Sequence, residues 1–301
     1  MSNLRNKIFK FRVKLLYLTN SFKYLFIKGA TVNIVSSAKY KNKIKEDLIL
    51  QKYLLKEGYS SKIVAWEDNK YADVNIIRSV WGYHHDIDEF LSYINDIDTI
   101  NDNKIIRENI DKKKQFELLE KNNISRIDTL FLDNISDYKY SSKKVVVKPV
   151  VSASGENTFV INKESDLNKV KKLNNIMIQP YISSISDGEI SVIAINGKIK
   201  YAIKRFPGVF TEYKKEEYIS VLDLDKKIID NVKKVISIDE YKEAVFMRVD
   251  FVKDDNDYKV MEVELVDPNL FIETISDLAV KDAVYTELVF SVKKLLDRNE
   301  E

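Results

Sequence analysis

The chain reads as two successive folds in one polypeptide: a parallel α/β part, then a larger α+β part built mainly from antiparallel strands. Three observations carry that reading. Between Thr31 and Asn95, short β-rich runs alternate with amphipathic helical segments, the order expected of parallel strands joined by helices. Beyond Lys144 the strands come in consecutive pairs around turn residues, and Asn196-Gly197 is the strongest short hairpin signal. Hydrophobic residues make up 45% of 301 positions, enough for a sizeable core, which excludes a disordered chain or a rod.

Each element follows from local pattern. Thr31–Ser37, with Val32, Ile34 and Val35, predicts a strand, and Lys45–Lys56 a helix closed by Gly58. Ser61–Trp66 and Asp73–Ser79 predict strands and Asp86–Asn95 a helix; Asp111–Asn122 is a further helix ending in Asn-Asn. Lys144–Pro149 and Asn157–Asn162 predict a hairpin around a loop of small residues, followed by a short helix over Ser165–Leu173 and a strand over Asn175–Tyr181. Glu189–Ile195 and Lys198–Lys204 flank the Asn-Gly turn. Asp225–Ile236 predicts a helix, Ala244–Lys253 and Asp257–Val266 two long strands, and Ser276–Asp297 a final amphipathic helix. The boundaries expected are an N-terminal basic helix over 1–29, an α/β domain over 30–108, and two subdomains over 109–185 and 186–301.

Composition removes several chemistries. With no cysteine there are no disulfides, thiolate metal sites, iron–sulfur clusters or cysteine nucleophiles, and the two histidines, His84 and His85, are too few for a histidine-rich zinc site or a triad. The first acid is Glu46; the 45 residues before it carry eleven Lys/Arg, leaving 38 basic against 47 acidic residues in the remainder. A body this acidic is not a general nucleic-acid binder. In the basic segment Leu4, Ile8, Phe11, Leu15, Leu18, Phe22 and Leu25 recur at intervals of four and three, with Arg5, Lys10, Arg12, Lys14 and Lys23 between them. The expectation is a helix packed on its own domain; the sharper alternative is a peripheral contact of residues 1–28 with anionic lipid or a partner. No uncharged stretch nears the ~18 residues of a membrane span, and no cleavage site of small residues follows, so the expected location is cytoplasmic, membrane-peripheral at most.

Three clusters bear chemistry. In Val145-Val-Val-Lys148-Pro149-Val-Val-Ser152-Ala-Ser154-Gly155, a strand delivers one lysine into a loop whose small residues let backbone N–H groups approach a phosphate. The lysine precedes the glycine, so this is not a Walker loop. In Arg248-Val-Asp250 and Glu262-Val-Glu264, alternate strand residues share a face, and pairing of the two strands brings three carboxylates together. Such carboxylates repel unless hard divalent cations offset them, and Mg²⁺ is the natural choice; the plainer reading is a polar outer strand face. In Gln179-Pro180-Tyr181-Ile182, an apolar strand ends in a short polar connection that suits an adenine edge, and Glu189 suits ribose hydroxyls.

The collinear order of these clusters resembles the ATP-grasp superfamily, in particular the branch of the cycloserine-forming ligase and, more distantly, glutathione synthetase and the ribosomal-protein glutamate ligases. Arg78-Ser-Val-Trp81 with Tyr83, Asn109-x-Asp111-Lys112, and Glu262-Val-Glu264-Leu-Val-Asp267-Pro268 add to the resemblance, which spans about residues 30–298. It implies an ATP-grasp fold, with a preATP-grasp α/β domain ahead of antiparallel ATP-binding subdomains, and a carboxylate–amine ligase that forms an amide through an acylphosphate. It implies ATP contacts by Lys112, Lys148, Ser152, Ser154, Gly155, Gln179, Ile182 and Glu189. It also implies two Mg²⁺, replaceable by Mn²⁺, on Asp250, Glu262 and Glu264, with Arg248 and Lys148 stabilising the transferred phosphoryl group. Arg78, Trp81, His84, His85, Lys204 and Arg205 are the candidates for small-molecule carboxylate and amine substrates, among amino-acid-like, sugar or peptide acids; against this, Trp81 and Tyr83 read equally as core and the histidines as a surface turn. Many members carry Asn at the position of Glu264, and the Phe-Arg pair frequent in the family is missing after Lys204-Arg205-Phe206-Pro207, which bears on the acceptor. Dimers are frequent in the superfamily. The rival readings are a kinase acting on a non-carboxylate acceptor and a nucleotide-binding scaffold without turnover.

Overall fold

A computed structural model describes residues 10–20, 29–95, 97–153, 155–207 and 213–299. The chain divides into two compact units, Met1–Asn103 with Val266–Glu301, and Lys104–Leu265. The sequence reading groups 186–301 together; the structure instead assigns the last 36 positions, from Val266, to the first unit.

The first unit holds a four-stranded parallel sheet in the order β2-β1-β3-β4, formed by β1 (Thr31–Ser36), β2 (Ser60–Ala65), β3 (Val74–Ser79) and β4 (Thr99–Ile100). Val32, Ile34, Val35, Ile76 and Ile77 are almost wholly buried, the near-continuous apolar run of a covered parallel sheet. Helix α1 (Lys45–Lys56) turns Leu48, Leu54 and Leu55 inward, α2 (Ile87–Asn95) Phe90 and Ile94, and the C-terminal helix Val284, Leu288 and Val292. Residues 10–20 are helical, yet the stripe expected to pack is turned outward: Phe11, Leu15 and Leu18 are 67%, 51% and 53% exposed. The helix is held from its other side. Asn20 is buried and its Nδ2 donates to the Leu48 carbonyl (2.8 Å) and Gln51 Oε1 (2.9 Å), with Val13 and Leu16 half-buried on the same face. The remaining stripe residues Leu4, Ile8, Phe22 and Leu25 lie outside the described residues.

The second unit contains two antiparallel sheets. Helices α3 (Asn103–Asn109, its first residue in the first unit) and α4 (Lys112–Lys121) lead into it. One sheet has the order β5-β8-β6-β7, from β5 (Leu130–Asn134), β6 (Val145–Pro149), β7 (Phe159–Ile161) and β8 (Asn174–Pro180). The other has the order β11-β10-β9-β12-β13, from β9 (Glu189–Ile195), β10 (Lys198–Pro207), β11 (Tyr213–Ile219), β12 (Phe246–Asp254) and β13 (Asp257–Glu264). The Asn196-Gly197 turn joins β9 to β10, both residues at positive φ (49° and 70°). Helix α5 (Lys226–Ile236) packs Ile228, Val232 and Val235 into a core shared with Val249, Phe251 and Val263. The segment 165–173 is a 3₁₀ turn (Glu164–Val170) rather than an α-helix. Strands β5 and β11 are edge strands with weak apolar patterning: β11 reads Tyr-Lys-Lys-Glu-Glu-Tyr-Ile, charge that blunts an exposed edge and hides the strand from hydrophobic periodicity. The C-terminal helix, α6, spans Leu278–Asn299.

Candidate active site

The hairpin β12–β13 sets the site. Its register places Arg248 opposite Glu264 and Asp250 opposite Glu262, so all four side chains share one face while Val249, Phe251 and Val263, with no exposure, fill the core behind. Asp250 is 3% exposed and crowded with donors. Its Oδ1 accepts from Ser191 Oγ (2.6 Å) and Arg248 Nε (2.9 Å), and Arg205 Nη2 lies 3.1 Å from Oδ2. Burial opposes ionisation of Asp250, but the guanidinium groups of Arg205 and Arg248 outweigh it and hold the carboxyl below its ordinary range. Burial likewise works against Arg248, and Asp250, Glu264 and Glu262 together raise its proton affinity regardless.

Strand β13 is the outer strand of its sheet, and side-chain amides complete its free edge. Asn109 Nδ2 donates to the Val263 carbonyl and its Oδ1 accepts from Leu265 N, both at 2.9 Å, while Gln115 Oε1 accepts from Val263 N at 3.2 Å. The backbone between Glu262 and Glu264 is thereby fixed by α3 and α4. This gives Asn109 a role that its place in the Asn-x-Asp-Lys run did not disclose. Asp111 caps α4, accepting from Lys113 N and Lys114 N, which points the next residue, Lys112, off the first turn.

Lys112 is 6% exposed; its Nζ donates to the Ser152 carbonyl and lies 3.3 Å from Glu262 Oε1. Lys148, on β6, sits opposite Met177 and shares the electrostatic environment of Glu262, Lys112, Glu189 and Asp250. Burial pulls its proton affinity down, with Glu262 opposing and Lys112 reinforcing. Glu262 shows the counterpart: burial raises it, and Lys112 and Lys148 bring it below the ordinary carboxylate range. The loop after β6 turns through Ser152, whose Oγ donates to the Pro149 carbonyl, and Gly155 at φ 68°; Ser154 lies outside the described residues.

Arg205 belongs to this cluster. Antiparallel pairing of β9 and β10 sets it opposite Glu189, and its Nη2 reaches Glu189 Oε2 at 2.9 Å as well as Asp250. Lys204, its neighbour on β10, alternates to the opposite sheet face, where its Nζ lies 5.0 Å from the centre of the Phe206 ring. Ser191, two residues beyond Glu189 on the same face, was missed by sequence reading; only the strand register reveals it. Four acids (Glu189, Asp250, Glu262, Glu264) thus stand among four cations (Lys112, Lys148, Arg205, Arg248). These protein cations offset part of the repulsion among the acids. Carboxylate oxygens, with no sulfur or imidazole in the cluster, remain the donor set that hard divalent cations take, so the residues fit Mg²⁺.

Gln179, 4% exposed at the end of β8, donates through Nε2 to Thr129 Oγ1 (2.9 Å), and Ile182 opens the turn that leads to Glu189. In the first unit, Arg78 is 5% exposed: Nη1 donates to the Pro268 carbonyl (3.1 Å), Nη2 to Glu46 (3.3 Å), and Nε lies 3.7 Å from Asp47. These contacts fasten β3 to α1 and to the segment before α6. Trp81 is half-buried, edge-on to Tyr40 at 4.9 Å; Tyr83 is a core residue beside Phe90; the His84 and His85 rings lie 4.3 Å apart, with His85 exposed.

Residues 32–103 match the family model described as D-cycloserine synthetase DcsG, N-terminal domain. No curated protein sequence matches the chain. Among solved structures it is similar to D-cycloserine synthetase DcsG, with TM-score 0.73 at 19% identity over 88% of this chain and 99% of that one. It is also similar to D-alanine–D-alanine ligase from Bacillus anthracis complexed with ATP (0.62, 17%, 90% and 98%) and to L-amino acid ligase from Bacillus licheniformis (0.55, 13%, 82% and 69%). These likenesses show an ATP-grasp fold. Residues 115–267, just over half of the chain, match the model described as prokaryotic glutathione synthetase, ATP-grasp domain, and the chain therefore belongs to the ATP-grasp ligase family.

Proposed function

We propose that this ligase joins a small amino-acid-like, sugar or peptide carboxylate to an amine, with ATP converted to ADP and phosphate. A carboxylate oxygen of the acceptor attacks the γ-phosphorus and the bond to ADP breaks, giving an acylphosphate. The amine nitrogen then attacks the acyl carbon, phosphate departs with the C–O electron pair, and the nitrogen releases a proton. Phosphate is a far better leaving group than the hydroxide of a free acid, which is why the first step is needed. No protein nucleophile takes part, in keeping with a chain that lacks cysteine. What the residues supply is position and charge: Lys112, Lys148 and the loop Ser152, Ser154 and Gly155 take the ATP phosphates, and Arg248 the transferred phosphoryl group. Gln179 and Ile182 line the adenine pocket and Glu189 receives the ribose.

Asp250, Glu262 and Glu264 would hold Mg²⁺, which when bound supplies Lewis acidity and charge at the β- and γ-phosphates. The charge count favours two ions: the described cluster is balanced four against four, and ATP with two Mg²⁺ leaves that balance unchanged, whereas one ion leaves an excess of negative charge in a buried place. The single observation that carries the reading is the register of β12 and β13, which gathers three carboxylates and Arg248 on one face before two lysines. Among the described residues no helix is long and apolar enough to cross a membrane.

The test is an ADP-release screen over amino acids, sugar acids and small peptides, each with and without an amine, with mass detection of the product. Full turnover is expected only when acid and amine are both present, and a variant carrying Asp250→Asn with Glu262→Gln should lose at least about 100-fold of it. Sustained turnover without any amine, giving a phosphate ester rather than an acylphosphate, would establish the kinase reading instead.

A further inference from the structure

The helix over residues 10–20 presents two unlike faces. Val13, Leu16 and Asn20, at spacings of three and four, face the first unit, and Asn20 is clamped there by Leu48 and Gln51. Phe11, Leu15 and Leu18, at spacings of four and three, form the opposite face and stand 67%, 51% and 53% exposed. Exposed Arg12 flanks this apolar stripe on one side, exposed Lys14 and Lys10 on the other. A large apolar stripe left in water marks an interaction surface.

Its charge decides the occupant. In sequence the stripe repeats as a strict heptad from Leu4 to Leu25, the pattern of a coiled-coil seam. The positions beside that seam are Arg5, Arg12 and Thr19 on one shoulder and Lys7, Lys14 and Ser21 on the other, with no acid among the first 45 residues. Two copies meeting along it would set basic shoulders against basic shoulders in either orientation, so self-pairing is disfavoured. A protein helix would need a matching acidic repeat in register, whereas a fluid anionic surface needs only the opposite sign and lets Lys and Arg stems extend from the interface toward headgroups. We propose that this outward face lies on anionic phospholipid, Phe11, Leu15 and Leu18 entering the acyl boundary and Arg12 and Lys14 meeting the headgroups. The Asn20 clamp then ties the first unit to the membrane surface.

The experiment is co-sedimentation of the full chain with phosphatidylcholine vesicles that contain or lack phosphatidylserine. Uptake is expected only with phosphatidylserine, weakening as salt is raised, and the variant F11S/L15S/L18S should lower the bound fraction about tenfold. A milder variant, Phe11→Trp, should add an emission that shifts to the blue with anionic vesicles alone, read as a difference from the parent. Nucleotide binding by each variant reports its fold independently of the lipid. A parent that stays in the supernatant with both vesicles, or a triple-serine variant that binds as the parent does, overturns the proposal. A parent dimer that the triple variant converts to monomer, with no lipid uptake by either, also overturns it in favour of a second copy.

Discussion

The first unit closes Arg78 between two acids, Glu46 and Asp47, and the carbonyl of Pro268; the second closes Asp250 between two arginines, Arg205 and Arg248, and the hydroxyl of Ser191. Both are buried networks of similar reach, yet their acids are shifted in opposite directions. Burial pushes Glu46 up to about 7 and raises Asp47, and Arg78 offsets only part of it. Asp250, as enclosed as Asp47, and the half-buried Glu262 are held below their ordinary range by arginines and lysines. Enclosure alone therefore says little about function. What separates the two networks is the number of cations: Asp250 and Glu262 stay ionised because two arginines and two lysines surround them, whereas a single arginine serves both Glu46 and Asp47.

The largest effect that can break this comparison comes from removing one guanidinium in each unit. Arg78→Met and Arg205→Met each take one cation away from two buried acids, Glu46 and Asp47 or Glu189 and Asp250, and should each cost about 3–5 kcal/mol in chemical unfolding. The difference lies in rescue. Mg²⁺ without nucleotide should stabilise Arg205→Met more than the parent, because a divalent cation can stand in for the charge lost between Glu189 and Asp250. Arg78→Met should keep the parent's response to Mg²⁺. Equal rescue of both variants would show that the two clusters are alike.

A somewhat smaller effect concerns pH. Glu46 is raised in the folded state, so the proton stabilises the fold: its contribution is fully present below about pH 4.5 and is lost as the pH rises through about 7. The shift from 4.5 corresponds to about 3 kcal/mol, and Glu46→Gln should flatten the stability profile between pH 5 and 7.5 by about that amount. Asp250 and Glu262 are depressed, so their contribution is present above the unfolded values of 3.8 and 4.5 and is lost as the pH falls below them. Asp250→Asn should therefore flatten the acid side of the profile and leave the Glu46 side intact. Equilibrium unfolding of the two variants across that range checks the opposite signs.

How much of this was legible follows from which step each residue depends on. Asp250, Glu262, Glu264 and Arg248 were readable because a strand converts spacing of two into a shared face with no further information. Lys148 was readable for a related reason, a lone cation ending an apolar strand before small residues. Arg205 could be singled out but not placed, since its position beside Glu189 and Asp250 depends on the β9–β10 register and on β12 pairing to β9. Arg78 could be singled out through the resemblance carried by Arg78-Ser-Val-Trp81, but that Glu46, Asp47 and Pro268 surround it is a matter of tertiary packing. Periodicity found the stripe through Phe11, Leu15 and Leu18 but not which side of the helix meets the domain, because Val13, Leu16 and Asn20 form a second face at equally helical spacing.

The smallest effect sharpens the comparison at the backbone. Gly58, closing α1 in the first unit, has φ +89° and open space where a Cβ would stand, so Gly58→Ala should cost only the conformational term, about 1 kcal/mol. Gly188, directly before Glu189, has φ 109° and ψ 149°, a region open essentially to glycine. A Cβ there would meet Lys204 Cε at 2.7 Å and the Arg205 carbonyl oxygen at 3.3 Å. The lysine end can swing aside, but the Arg205 carbonyl belongs to β10 and cannot yield without moving the strand that sets Arg205 against Glu189. Gly188→Ala should accordingly cost about 2–3 kcal/mol, and it should weaken ATP binding where Gly58→Ala does not, as read by calorimetry on the folded variants. If the two alanine variants unfold alike and bind ATP alike, the close approach at Gly188 is not what fixes the Glu189–Arg205 pair, and the second unit is less tightly determined around its site than the register of β9 and β10 implies.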